Sequence, residues 1–370
     1  MWRHLIASRW HALSKNDPWF FFFTLFIIQL STGILLSINY DPGNAFETTL
    51  NMEMDALFGL VRQVHIWSSS AMILWILIIT IRQGIKSILL PRRSWWMVIG
   101  SGFLVLGACL TGAFLPLHQD GYWGGVITRE VVERTMLIGD VLSPVLFGDG
   151  SIDDWVRRFY VIHTQVLPWI LVAVLLMYVL SKKHLGKKEP DMYLRILELF
   201  YLSIAVVATL AILFPVDLGS QATPDMAPLQ VKPHWYFLPF YQLAKSFSVF
   251  QMQFTFAFLA MLLFTWTHWR TKEYVPIRRI LDFTGLATMS ILAGLGLLGL
   301  CSNEFLQFGS YRLTFGDWGW PVHLTKTEEV SSAIVWGRVL GVMLLWSATV
   351  AVLVLLEKYR LRESLRSSDQ

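Results

Sequence analysis

Long apolar runs separated by short polar segments dominate the chain. Eight of them are long enough, or nearly so, to cross a hydrocarbon core of about 30 Å at about 1.5 Å of rise per helical residue. They cover residues 20–38, 57–81, 96–115, 161–180, 200–214, 249–266, 283–301 and 333–356. The fifth is short and could begin earlier. Inside lipid only helices and closed barrels satisfy every backbone donor and acceptor, and unbroken apolar runs of this length predict helices. The pattern predicts an all-α integral membrane protein with eight transmembrane helices.

Composition agrees: 55% of residues are hydrophobic, 15% are charged and the mean hydropathy is +0.52. Charge then supplies the sidedness. If the N-terminus is cytoplasmic, the segments on that side are the N-terminus, 82–93, 182–195, 270–279 and 358–366. They hold three, four, five, four and four basic residues, 20 of the chain's 30 Lys and Arg. The opposite loops carry Asp41, Glu47, Glu53, Asp55, Asp149, Asp153 and Asp154. The positive-inside rule therefore predicts a multi-pass membrane protein with both termini in the cytoplasm. A pI near 9.0 follows from this sorting and gives no reason to expect a nucleic-acid partner. The first seventeen residues are polar and amphipathic, without the apolar core of a cleavable signal. Cys109 and Cys301 lie in apolar runs with no Cys-x-x-Cys-His, against covalent haem attachment.

Within these runs, two histidines stand out, in Arg62-Gln63-Val64-His65 and in Arg158-Phe159-Tyr160-Val161-Ile162-His163. A buried imidazole in a membrane bundle needs a hydrogen bond or a metal. Either one alone could be a satisfied polar residue between helices. Two on separate helices, each with an arginine within about a turn, point to bis-imidazole ligation of one haem, with His65 and His163 as axial ligands of the iron and guanidinium partners for its propionates. Gly33 and Gly112 lie at the same depth on two other helices, where a missing side chain admits a flat macrocycle.

Four motifs in order carry a resemblance through nearly the whole chain. They are Arg62-x-x-His65; Gly112-Ala-Phe-Leu-Pro116-Leu-His-Gln119-Asp-Gly-Tyr-Trp123-Gly124; Arg158-Phe-Tyr-x-x-His163-Thr-x-Val-Leu-Pro-Trp169; and Ala222-Thr-Pro224 followed by Lys232-Pro-His234-Trp-Tyr236-Phe-Leu-Pro239. The chain resembles cytochrome b of the quinol-oxidising bc1 and b6f complexes, as a divergent bacterial member. The resemblance implies an N-terminal haem-binding bundle of four transmembrane helices (1–195) and a C-terminal region of four more (196–370) containing an outer-loop quinol motif. It makes Arg62 and Arg158 the propionate partners of the outer haem, and quinol or quinone the substrate.

The pattern is incomplete. Members of the family carry a second, inner haem about four turns farther along the same helices. Fourteen residues advance a helix by about 21 Å on nearly the same face. From His65 that step reaches Ile79, and on the other helix the plant-like spacing reaches Tyr178. The matching steps from Gly33 and Gly112 reach Trp19 and Val98. Two ligands and two glycines are thus replaced by larger or non-ligating groups, which predicts one haem b instead of two, the inner cavity being filled by protein. Arg82 remains where an inner propionate partner would sit, and reads best as a positive-inside anchor. The cytoplasmic quinone-reducing site also departs from the family: His184 is displaced, Arg195 stands for a lysine and Ile196 for an acid, with Glu198 nearby.

At the outer site His234 occupies the position of the family's glutamate. A neutral imidazole can take a proton from quinol, and Tyr236 helps to shape the pocket. His118 is a further candidate for proton release or for hydrogen bonding near the haem. His323 and residues 315–320 suggest a subunit interface. The expected partners are a Rieske-type iron-sulfur protein or a multihaem cytochrome c, the lipid membrane, and a second copy of the chain in a homodimer. As a redox subunit the chain would not be catalytic alone. An alternative is a structural anchor for other redox subunits, with a vestigial quinol site. A transporter finds no support, since the intramembrane polar residues are few.

Overall fold

The computed structural model describes residues 19–85, 92–181, 200, 203–212, 214–226, 231–269, 275–302, 305–308, 311–315, 319 and 321–326. His4, His11, His184, Arg195, Ile196, Glu198 and the expected eighth helix lie outside these residues, as does the side chain of Arg82.

The described residues are mostly helical and divide into two compact units, 1–296 and 297–370. In the first, four helices are long and apolar enough to cross a membrane: Trp19–Asn39, Ala56–Ile81, Arg93–Phe114 and Ile152–Leu180. We label the elements α1 (Trp19–Asn39), α2 (Ala45–Met54), α3 (Ala56–Ile85), α4 (Arg92–Phe114), α5 (Gln119–Glu133), α6 (Gly139–Phe147), α7 (Ile152–Val161) and α8 (Leu167–Ser181). Shorter apolar helices follow at Ser203–Ile212 and Val249–Leu263, where longer spans are expected from the sequence.

Local chemistry sets the ends. The Asp55 carboxylate accepts from the backbone of Leu57 and Phe58 at 2.9 and 2.8 Å, which caps α3. Ser151 caps α7 through Asp154 N, and Asp153 and Asp154 put negative charge at its first turn. The apolar exterior of the bundle, such as Leu74, Trp169 and Leu176, each more than half exposed, suits lipid contact.

Helices α7 and α8 are one span interrupted by a π-helical turn at Ile162–Val166, which contains His163. Pro168 has no N–H to give the Thr164 carbonyl, and its ring crowds that oxygen. The chain widens instead, and Leu167 N donates to Ile162 O five residues back. The extra residue changes the phase of everything downstream. Tyr178, fifteen residues after His163, is 6% exposed and faces the bundle, while Met177, fourteen after, is 53% exposed.

At the end of the bundle away from the histidines, Trp19, Ile79, Val98 and Tyr178 all belong to one buried cluster. The Trp19 and Tyr178 rings lie 4.7 Å apart at 31°, and Trp19 meets Phe22 edge-on at 5.8 Å. Around the histidine end, a second cluster packs Phe114, Phe147, Trp155 and Phe159, mostly in edge-to-face pairs.

The second unit departs from the purely helical expectation. It holds a three-stranded antiparallel sheet, β1 (Phe305–Phe308), β2 (Tyr311–Phe315) and β3 (Pro321–Lys326), in that order. Alternating apolar residues such as Leu313 and Phe315, both buried, give it a strand period of two. A register irregularity falls at Thr314/Phe315, and His323 pairs with Thr314 in β3. The strands are too short to register as a hydropathy feature, so the aromatic residues there read as interface.

Candidate functional site

His65 comes from α3 and His163 from the π turn, and their rings face each other with centroids 6.2 Å apart at 70°. Each ring is held by a Thr-Gly pair on a third or fourth helix. Thr32 gives its hydroxyl proton to Ile28 O at 2.8 Å, so its oxygen accepts from His65 Nδ1 at 3.0 Å. Thr111 bonds back to Gly107 O at 2.9 Å and lies 3.3 Å from His163 Nδ1, which donates to Ala108 O at 2.9 Å. Both imidazoles thereby carry their proton on Nδ1 and present the Nε2 lone pair. Among the described residues no hydrogen bond reaches His163 Nε2, whereas His65 Nε2 accepts from the Gln29 amide at 2.9 Å. Gln29 Oε1 in turn accepts from Ser68 Oγ.

The glycines sit directly under these rings. A Cβ at Gly112 would lie 2.6 Å from His163 Cε1, and one at Gly33 would lie 3.1 Å from His65 Cε1. With metal–imidazole bonds of about 2 Å, two imidazoles on opposite sides of one ion have ring centres roughly 6 Å apart. The observed separation matches, with a metal at His65 Nε2 taking the place of the Gln29 amide. Among the described residues no group of three or more His, Cys, Asp or Glu could hold an ion by protein ligands alone. The donor set suits an axial pair on a macrocycle.

The two arginines are already engaged. Arg62, 8% exposed, forms an ion pair with Glu53 of α2 and donates to Val216 O at 3.1 Å. Beside it Gln63 bonds both ways to Val216, at 2.9 and 2.8 Å. Arg158 donates to Asp154 at 3.1 Å and to Val145 O at 3.3 Å. A guanidinium has five donors, so each retains capacity for a second carboxylate.

His234 begins the 3-10 turn Trp235–Phe237 and stacks on Tyr236 at 5.6 Å and 23°. Burial, then the positive charge of Arg62, hold His234 below the usual imidazole range, although part of its surface stays open. The Tyr236 hydroxyl is hydrogen-bonded to the Cys109 thiol, which also meets Ser69. Burial, then Cys109, push that phenol well above its ordinary value. His118 is lowered to about 4 by burial, then by the charges of Arg62 and His234. The two loop histidines and Arg62 thus share one neighbourhood.

Several of these contacts were not expected from the sequence: Gln29, Glu53, Cys109 and the paired threonines. The repeated Thr32-Gly33 and Thr111-Gly112 was a visible signal. Gln29, Thr32 and Gly33, at i, i+3 and i+4 of an otherwise apolar helix, were another.

Comparison with known proteins identifies the family. Residues 18–186 match the family described as cytochrome b/b6/petB, and residues 221–310 match cytochrome b(C-terminal)/b6/petD. The cytochrome b6 of Synechococcus sp. (strain WH7803) is 32% identical over 174 residues, 45% of this chain and 78% of that protein. A cytochrome bc complex cytochrome b subunit from Chlorobaculum thiosulfatiphilum is 30% identical over 269 residues, 64% of this chain. The match spans 61% of that relative's length. The cytochrome b of Chondrus crispus is 27% identical over 307 residues, 73% of this chain and 79% of that one. A chain of a hyperthermophilic respiratory Complex III shares the fold, with a TM-score of 0.61 at 21% identity over 77% of this chain and 84% of that one. The chain belongs to the cytochrome b/b6 family, and membership implies haem b.

Proposed function

We propose that this protein is a membrane cytochrome b subunit that binds a single b-type haem between His65 and His163, takes part in quinol oxidation on the outer side of the membrane, and passes electrons to a partner redox subunit. The observation that carries the reading is the opposed imidazole pair, each ring oriented through Nδ1 and seated over a glycine. The haem, when bound, supplies a one-electron redox couple. The chain's own residues do the rest. Thr32, Thr111 and the Ala108 carbonyl fix the two rings, Gly33 and Gly112 leave room, and Arg62 and Arg158 hold positive charge for the propionates.

At the outer loop, His234 is the proton acceptor for quinol. Its depressed pKa keeps it neutral, and so able to accept, at ordinary pH. Tyr236, clamped by Cys109, shapes the wall beside it. The packed cluster of Trp19, Ile79, Val98 and Tyr178 supports the absence of an inner haem, so electrons leave outward or sideways. The partner is an iron-sulfur protein of Rieske type, a cytochrome c, or the same haem of a second copy. We place the protein in a bacterial inner membrane with eight spans, both termini cytoplasmic, and the bundle ending near residue 195.

The test is the haem-to-protein ratio of the purified subunit together with its reduced spectrum, followed by addition of duroquinol. One b haem per chain, reduced by duroquinol, is expected. Two haems would overturn the single-haem reading, and none would overturn the ligand assignment. A haem that duroquinol does not reduce would leave the structural-anchor role in its place.

A further inference from the structure

His118 is placed with unusual firmness for a loop residue. The preceding Leu117 adopts a left-handed φ of 49°, and its carbonyl accepts from Ala222 N at 3.3 Å. On the other side, Gln119 N donates to Ser220 O at 3.0 Å, and the Gln119 side chain donates to Thr223 Oγ1 at 2.6 Å. The His118 carbonyl receives Tyr122 N at 2.9 Å, the first turn of α5. The backbone is thus tied to the 220–223 segment on both sides of the ring, and the non-glycine residue in the left-handed region is held there by those ties.

Among the described residues no hydrogen bond reaches the imidazole. Nδ1 is buried without a partner, lying over Gly121, where a Cβ would come within 3.0 Å of it. Its Cδ2 edge faces Gly219, at 3.9 Å from a Cβ there. A buried N–H without an acceptor is rarer and costlier than a lone pair against a CH group. The proton therefore belongs on Nε2, the nitrogen left to reach a ligand. Several other donors of this neighbourhood already have acceptors. Arg62 Nη1 serves Glu53 and Val216, the Trp123 indole donates to Gln119 at 3.0 Å, the Gln119 amide serves Thr223, and the Tyr236 hydroxyl is taken by Cys109.

We propose that His118 is a binding residue of the outer site whose Nε2–H donates a hydrogen bond to an oxygen of the quinone or quinol ring, separate from the proton acceptor His234. The inference rests on the quinol reading above. Arg62 and, once protonated, His234 are the positive charges facing His118, with Asp217 near Arg62 and Asp120 on the start of α5. Burial, and then that positive charge, keep His118 neutral, a donor and not a base.

The experiment uses the haem-loaded full chain, with duroquinol as reductant and haem absorbance as readout, for wild type, His118→Leu and His118→Asn. Loss of one hydrogen bond predicts an increase in KM of about tenfold for His118→Leu. His118→Asn retains an N–H donor, and its KM should stay within about threefold of wild type with an unchanged pH profile. If both variants keep the wild-type KM, or both lose it equally, His118 only packs and the proposal fails while quinol oxidation stands. Should His118→Leu not fold, the KM and pH profile of His118→Asn decide. A pH profile altered in His118→Asn would make His118 a base and overturn the donor role. No reduction of the wild-type haem by duroquinol would remove the quinol reading, and this inference with it.

Discussion

Of the two glycines beneath the histidine rings, Gly112 tolerates less change. Its missing side chain lets His163 approach to a distance no Cβ allows, whereas the corresponding gap at Gly33 is only tight. Gly112→Ala should displace the ring and cost about 1–3 kcal/mol of packing, with haem content falling well below that of Gly33→Ala. Pyridine haemochrome assay of the two purified variants measures the order. His65→Ala and His163→Ala should each abolish haem binding altogether, and a variant that keeps its haem would show the ligand lies elsewhere. His118 gives a prediction in pH. Burial holds its pKa down to about 4 in the folded protein against the ordinary imidazole value of 6.5, so between these values the unfolded chain binds the extra proton. The associated stability is complete above pH 6.5, is lost as the pH falls toward about 4, and changes no further below that. Thermal melting of the holoprotein at stepped pH should show this loss, and His118→Asn should reduce it.

At the scale of elements, the π turn decides which residues share a face. Because Pro168 forces one extra residue into the span, the step from His163 to the far end of the bundle is fifteen and lands on Tyr178. Deleting Gln165 should rotate the lower half of the span by about 100°, bringing Met177 inward and moving Tyr178 off Trp19. The expected result is a lower melting temperature in detergent, and an unchanged one would mean that the phase carries no packing. Much of this was legible in the sequence. The apolar runs, the two histidines, the glycines facing them and the four enlarged positions at the other end all follow from spacing along helices, which is periodic and local. The partners of the polar atoms were not. Glu53 finds Arg62 across a change of chain direction, and Cys109 meets Tyr236 from more than a hundred residues away. Gln29 caps His65 by the rotation of one helix against another. Pairings of that kind depend on tertiary placement, to which hydropathy is blind. The small sheet escaped for a different reason, its strands being shorter than any window that separates membrane helices from the rest.

For the whole molecule the consequence is directional. On the proposed single-haem reading, a bundle with its haem at one end and a packed tryptophan–tyrosine pair at the other exchanges electrons from one face. The two levels lie about 21 Å apart along a helix, and at the far one Ile79 and Val98 stand in the buried apolar cluster. Holoprotein reconstituted in one orientation into vesicles should therefore have its reduced haem oxidised by a membrane-impermeant acceptor such as ferricyanide from one side only. A control needs the cavity reopened. Converting Ile79 and Tyr178 to histidine should not suffice, because Trp19 and Val98 still fill the space; adding Trp19→Gly and Val98→Gly should allow a second haem to bind and oxidation from both sides to appear. Equal oxidation of the unaltered protein from either side would show that a second electron path exists despite the filled bundle. A second haem bound by the two-histidine variant alone would show that the aromatic pair gives way, so that the missing ligands, and not the packing, keep the inner site closed.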